Sequence, residues 1–347
     1  MGEFSSNSST NLSLSNFSAL NNTHNIKKYY SQEKTNPMQN KQYILPETLA
    51  KREDVFKKYR LFRHILGDGA TSIVYLAENS SKQKFAIKRI PKEKLEAKLN
   101  IIVREAEVVL KLRNKNIIKY YEIYEDLHFI SIVMEQADTD LFELIINSPI
   151  ELMSEEIIID FLIQIFEVID YLHNVVNIVH CDIKPENFVV KFDKKNENKP
   201  SLKLIDFGNA RRKPINKEKL FNFSGTKEYM APEAMENSGF NEKVDEWAAG
   251  IIMFNLLTGA DPFSSDNDLE YRDNIKFKKI KFEYIKNEKL RELNKKLLNR
   301  FVAGRITAKE ALEEIKQIKN NLRYGCNINN RNIKDFDNNK ILLINMS

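Results

Sequence analysis

The chain has 347 residues, of which 42% are hydrophobic and 30% charged, with a net charge of +5. That length suffices for one large domain or two lobes around a cleft. The charge is too mild and scattered for a nucleic-acid-binding stripe, so no nucleic-acid partner is expected. The only cysteines are Cys181 and Cys326, without CxxC or His/Cys metal spacing. This excludes a disulfide framework and points to a reducing compartment, the cytoplasm, with the nucleus as the alternative.

Residues 1–50 are rich in Ser and Asn and carry no sustained apolar period, so they read as a disordered tail. Met1-Gly2 with Ser6 fits the crude N-myristoylation pattern, but acidic Glu3 opposes it and the modification is not expected. No apolar core of a secretory signal precedes the first strand. From Tyr59 the texture changes. "YRLFRHILGDGATSIVYLAENSSKQKFAIKRI" gives two alternating strands around a Gly turn and a third after the polar turn at 79–84. A helix is expected over 92–112, then strands over 117–124 and 129–135.

After Asp138 the pattern turns mostly helical. Over 154–174, residues such as Ile158, Phe161, Leu162, Ile165 and Leu172 fall on one face, behind Ser154 as N-cap. A hairpin is expected over 187–205, with Lys/Asn-rich 193–200 as its turn, and helices continue to 322. Asn-rich 323–347 reads as a flexible tail. The most apolar stretches, 157–172 and 247–259, are interrupted by charges or too short for the ~20 residues of a bilayer span, so no transmembrane segment is expected. The fold class is α+β. A small antiparallel β lobe with one main helix (58–138) precedes a larger, mainly helical lobe (139–322), and a cleft between lobes suits a ligand.

Some residues ask for chemistry. Gly67 and Gly69 in "GDGATSIV" lie between two strands, where backbone N–H groups could approach phosphate oxygens; a plain hairpin turn is the alternative. Lys88 in "FAIKRI" stands on a strand built for burial and needs a partner, which Glu105 on the next helix could supply. "IVHCDIKPENFVVKF" (178–192) crowds His180, Asp182, Lys184 and Asn187 between apolar runs, with Cys181 among them.

With "LIDFG" (204–208) and "APE" (231–233) these stretches resemble the protein kinase superfamily, over about residues 58–320. The family's ordered motifs correspond to Gly67/Gly69, Lys88, Glu105, His180–Asn187, Asp206-Phe207-Gly208 and Ala231-Pro232-Glu233. The resemblance implies a bilobal fold that uses ATP and Mg²⁺. It implies that Lys88 holds the α/β-phosphates and is aimed by Glu105, while Asn187 and Asp206 ligate Mg²⁺. It further implies that Asp182 accepts the substrate hydroxyl's proton and Lys184 steadies the γ-phosphate. Val74 and Ala86 would cover adenine, Met134 would be the gatekeeper, and the backbone of Glu135 and Ala137 would serve adenine at the hinge. Asp245 would anchor the catalytic loop, and Arg305 would pair with Glu233.

"KPEN" and Thr226 in "SGTKEYMAPE" match the serine/threonine type, with Thr226 near Asp182 and Lys184. The stretch 182–208 and "TGADPF" look most like the calcium/calmodulin-dependent and calcium-dependent group. In that group, acids at the positions of Asp140 and Glu186 imply protein substrates with an Arg upstream of the acceptor. Asn255 replaces a second acid and argues against a strict double-Arg preference. No EF-hand loop follows, and 312–322 is only faintly basic and amphipathic, so calcium or calmodulin dependence is not supported.

The family's usual Arg before the catalytic Asp pairs with a phosphate on the activation loop. Here that residue is Cys181, and the usual phosphosite corresponds to Asn222. Both halves of the switch are missing, which implies activity independent of phosphorylation there. A pseudokinase scaffold is the second reading; Lys88, Glu105, Asp182, Asn187 and Asp206 are all present and argue against it.

Overall fold

The computed structural model of the chain describes residues 44–69, 72–94, 99–147, 153–192, 200–214, 218–265 and 267–329. Strands β1 (Arg60–Asp68), β2 (Ile73–Glu78), β3 (Lys84–Pro91), β4 (Tyr120–Glu125) and β5 (Phe129–Glu135) form an antiparallel sheet in the order β1-β2-β3-β5-β4. Val74 stands opposite Lys88, and Ala86 opposite Met134. Because side chains alternate along a strand, these four share one face of the sheet. Farther along it, Ile90, Ile130 and Ile132 pack with Ile102 and Ala106 of helix α1 (Leu99–Val109). The other face sets Phe85, Ile87 and Val133 against Val55, Tyr59 and Tyr124.

Helix α1 is shorter than the 92–112 expected, and a 3-10 turn at Lys92–Lys94 precedes it. Ile102, Glu105, Ala106 and Val109 are all buried, at the spacing of a single helix face. Glu105 thus lies within an apolar stripe and must find a cation.

Residues 44–50 correct the reading of 1–50 as a disordered tail. Leu45 and Ala50 are buried beside Ile102 and Ala106. The main-chain N–H groups of Ile44 and Leu45 donate to the Glu125 carboxylate (2.6 and 3.0 Å), and Lys51 bridges to Tyr124 on edge strand β4. A buried carboxylate that needs donors, together with apolar burial, orders this stretch, whose sequence ILPETLA is far more apolar than the Ser/Asn-rich residues before it. The remainder of the expected tail, with the Met1-Gly2 site, lies outside the described residues.

In the larger lobe the expected hairpin forms from β8 (Phe188–Lys191) and β9 (Ser201–Leu204), with β6 (Thr139–Asp140) beside β8. Its turn, 193–199, lies outside the described residues. A second small sheet pairs β7 (Ile178–Val179) with β10 (Arg211–Arg212). The helices are α2 (Leu141–Asn147), α3 (Glu155–Asn174), α4 (Pro232–Met235), α5 (Lys243–Thr258), α6 (Asp268–Phe277), α7 (Glu288–Leu297) and α8 (Ala308–Asn329). Ser154 Oγ accepts from Ile157 N–H at the start of α3, as expected. Helix α5 is buried from Val244 to Phe254 and forms the axis of the lobe. A Cβ on its Gly250 would stand 2.9 Å from the Leu297 and Leu298 side chains, so α7 can approach only a glycine here.

Residues 323–329, expected to belong to a flexible tail, are helical instead. Helix α8 runs on to Asn329, because each further residue adds one hydrogen bond to a formed helix, and Gly325 costs only about 1 kcal/mol. Residues 330–347 lie outside the described residues. Main-chain bonds from Ile118 N–H to Leu204 O (3.1 Å) and from Leu204 N–H to Asn116 O (2.8 Å) join the lobes. The α+β, two-lobe expectation holds. Among the described residues, no helix is long and apolar enough to cross a membrane.

Candidate active site

Lys88 lies in the middle of β3, on the sheet face that α1 covers, so it points at Glu105. Its Nζ is 2.9 Å from Glu105 Oε1 and 3.4 Å from Asp206 Oδ1. Burial opposes the ammonium charge, but the Glu105 and Asp206 carboxylates more than offset it and raise the Lys88 pKa. In return the Lys88 ammonium holds Asp206 below the usual carboxylate range. A cation from the smaller lobe is thereby fixed between acids from both lobes.

Below it, the loop from His180 to Asn187 hangs on Asp245. The main-chain N–H of His180 donates to Asp245 Oδ2 (2.7 Å), and that of Cys181 to Oδ1 (2.9 Å). Cys181 holds φ 63° and Asp206 φ 60°, left-handed values that ordinary residues seldom adopt, so surrounding bonds must impose them. Asp182 Oδ1 accepts from the N–H (2.9 Å) and Oγ1 (2.7 Å) of Thr226, and Thr226 Oγ1 in turn accepts from Lys184 Nζ (2.8 Å). The amide of Asn187 donates to Asp182 O (2.8 Å) and Oδ2 (3.3 Å).

Val74, Ala86 and Met134 gather with Ile118, Tyr120, Val189 and Ile205 into a small apolar cluster between the lobes. The Glu135 carboxylate reaches Lys191 (2.5 Å) and Lys203 (3.3 Å), tying the inter-lobe strand to β8 and β9. Two residues on, the Ala137 carbonyl accepts from the Gln136 amide (3.0 Å). Neither Gly67 nor Gly69 is demanded by the fold. Both have ordinary φ, and an added Cβ would meet nothing closer than 3.6 Å. This arrangement fits a nucleotide: apolar walls for a base, open backbone for phosphates, and an ammonium between them.

Asn187, whose amide nitrogen is engaged, keeps its Oδ1 for a cation, and Asp206 is ionised with a side chain 45% exposed. Two hard oxygen donors suit Mg²⁺ that completes its shell from phosphate and water. Among the described residues no group of His, Cys, Asp or Glu forms a self-sufficient metal cage.

Comparison with known proteins agrees with this arrangement. The family profile described as "Protein kinase domain" matches residues 60–315. The chain belongs to the protein kinase family. It is similar to serine/threonine-protein kinase dkf-2 of Caenorhabditis briggsae (35% identity over 61% of this chain and 18% of that one). It also resembles mouse serine/threonine-protein kinase DCLK3 (36%, 61% and 26%) and human serine/threonine-protein kinase D2 (34%, 62% and 24%). The chain therefore matches only about a quarter or less of these relatives' length.

Other parts of this kinase domain stand where the motifs put them. Arg305 donates two bonds to Glu233 (2.7 and 3.0 Å), both side chains buried. The proposed substrate-reading acids are less free. Asp140 Oδ1 accepts from Glu143 N–H (2.8 Å) and caps α2, and burial pushes its carboxyl up. Glu186 keeps one buried oxygen without a hydrogen-bond partner. The Asn255 amide donates to Ala260 O (2.7 Å) at the end of α5.

Several contacts of this site escaped the sequence reading. Arg211 donates to Phe221 O and Asn222 O (2.5 Å each), and Asn209 joins Asp182 (3.4 Å) to Ser224 (2.8 Å). The His173 ring bonds Asp245 at one nitrogen and Glu246 at the other. Ionisable groups inside otherwise apolar helices were the available signal, since each must find a partner there.

Proposed function

We propose that the chain is an active serine/threonine protein kinase that uses Mg-ATP and phosphorylates protein hydroxyls. One observation carries the reading: Lys88 Nζ stands between Glu105 and Asp206 (2.9 and 3.4 Å) while Phe207 is buried in the larger lobe. That closed arrangement assembles the phosphate-handling groups of both lobes in one place. ATP supplies the γ-phosphoryl group and Mg²⁺ neutralises charge on its phosphates. Lys88 would hold the α/β-phosphates, Asn187 and Asp206 the metal, and the backbone of Gly67, Gly69, Glu135 and Ala137 the remaining edges of the nucleotide. Asp182, oriented by Thr226 and Asn187, would accept a hydrogen bond from the acceptor hydroxyl and take its proton. Lys184, braced on Thr226, would face the charge that develops on the transferred group.

The finer features belong to the same proposal. Independence from activation-loop phosphorylation is supported by Arg211, which engages the Phe221 and Asn222 carbonyls where a phosphate clamp would otherwise act. Preference for a basic residue upstream of the acceptor is supported by the partnerless Glu186 oxygen and by Glu186, Asp261 and Glu228 about Tyr229, whose phenol burial and these acids push up. The calcium/calmodulin-dependent group is favoured by the 182–208 stretch and by "TGADPF". A cytoplasmic site of action rests on the cysteine usage, with Cys181 a free buried thiol.

The test is a positional peptide library with labelled ATP and magnesium on the purified full chain, with Asp206→Ala as reference. Transfer to Ser/Thr peptides, strongest with Arg upstream, is expected. Turnover no greater than that of Asp206→Ala would favour the scaffold reading.

A further inference from the structure

Helices α3 and α5 face each other with ionisable groups where apolar contact would suffice. The ring of His173, 2% exposed, lies with Nε2 2.8 Å from Asp245 Oδ2 and Nδ1 3.2 Å from Glu246 Oε1. Both carboxylates are 1% exposed. A neutral imidazole donates from one nitrogen only and would turn a lone pair toward the other carboxylate. With acids at both ends the ring needs both protons. Glu246 Oε1 also accepts from Ala308 N–H (3.0 Å), which fixes it at the start of α8. Asp245 meanwhile holds the His180 and Cys181 N–H groups beside the left-handed Cys181.

We propose that Glu246 is a positioning residue: with Asp245 it keeps His173 a doubly donating imidazolium, and that buried cation holds Asp245 on the catalytic loop. The proposal uses kinase turnover as one readout and so rests in part on the function proposed above. The groups facing the ring are Asp245 and Glu246 from α5, with His180 and Cys181 of the loop behind Asp245. Lys316 and Lys319 of α8 pair instead with Glu167 and Asp160. Burial alone would lower the ring's pKa, but the Glu246 and Asp245 carboxylates carry it up to about 10. A lone Asp245 would leave the ring able to lose its charge near neutrality.

Two measurements decide it. Nitrogen NMR of histidine-labelled full chain, assigned with His173→Gln, should show both His173 ring nitrogens protonated at about pH 8. A neutral tautomer there overturns the proposal whether or not the chain is active. In Glu246→Gln the ring should titrate near its ordinary value, and kcat should fall about threefold to tenfold as pH rises through it, with KM for ATP unchanged. Wild type should lack that limb. An unchanged kcat, or a loss independent of pH, overturns the proposal. If Glu246→Gln does not fold, the wild-type NMR result stands as the test.

Discussion

Arg211 on β10 donates both guanidinium arms to main-chain carbonyls, those of Phe221 and Asn222, and so ties that segment to β10. Asn222 has φ 55°, and its N–H donates to Asn237 Oδ1 (3.0 Å), so the segment is pinned from the other side as well. Removing Arg211 deletes two charge-assisted bonds, and Arg211→Ala should lower kcat about tenfold. Asn222→Glu adds charge at a position that already has its geometry, and should change the rate by less than about twofold. A gain of about tenfold in steady-state kinetics would show that the loop still waits for a negative charge.

Asp182, Thr226 and Lys184 act as a unit. On the role proposed for Asp182, Asp182→Asn should reduce kcat by about 10²- to 10⁴-fold with the melting temperature nearly unchanged, because it would remove the proton acceptor and little packing. Thr226→Val should follow it in direction, since Lys184 and Asp182 both lose a partner, while Thr226→Ser keeps the hydroxyl and most of the activity. Steady-state kinetics beside thermal unfolding separate the two effects.

Gly225 lies under the catalytic loop. A Cβ there would stand 2.2 Å from the Cys181 carbonyl oxygen and 2.5 Å from the Phe223 ring. The backbone of Cys181 cannot yield, because Asp245 holds its N–H. Gly225→Ala should cost about tenfold or more in kcat/KM, measured on peptide substrate, with the far-ultraviolet circular dichroism of the wild type.

The Arg305–Glu233 pair braces the larger lobe. Arg305→Ala leaves the Glu233 carboxylate buried and alone, and should cost about 3–5 kcal/mol in urea unfolding. Replacing both, as Arg305→Met with Glu233→Leu, should recover much of that loss, because no orphan charge remains.

Acid stability has a marker in the smaller lobe. Burial alone would raise the Glu122 carboxyl, but bonds from Lys51, Lys58, Tyr59 and Tyr124 bring it down to about 2. Its folded-state pKa is depressed, so its contribution is present above the unfolded value and is lost as pH falls toward the folded one. Glu122→Gln should therefore lower stability at neutral pH and flatten the decline between pH 4.5 and about 2, followed by denaturant midpoints across that range.

Much of this was legible in the sequence because strands and helices advertise themselves by period. The 85–90 strand and the 154–174 helix needed only alternation and a Ser at the right place. The motif residues were legible as types: a Lys on a buried strand and a Glu on a buried helix had to meet. What was not legible lay in contacts between segments far apart in the chain. Leu45 and Ala50 follow a Ser/Asn-rich segment, and their reason to order lies far away in the chain, in the Glu125 carboxylate and the apolar seam of Ile102 and Ala106. What Arg211 holds shows only once the Phe221 and Asn222 carbonyls are seen beside it. His173 and Glu246 each look like an interruption in an apolar helix, and the pairing that explains both depends on how α3 and α5 cross.

The strap at Ile44–Arg52 has a practical bearing on how this enzyme is produced. The family match begins only at Arg60, and a fragment cut there would strip the Glu125 carboxylate of the Ile44 and Leu45 amides and of Arg52. It would also open to water the apolar seam behind the helix that carries Glu105. Expression boundaries drawn from the motif alone would thus yield a loosened catalyst, while a start upstream of Ile44 keeps its scaffold whole.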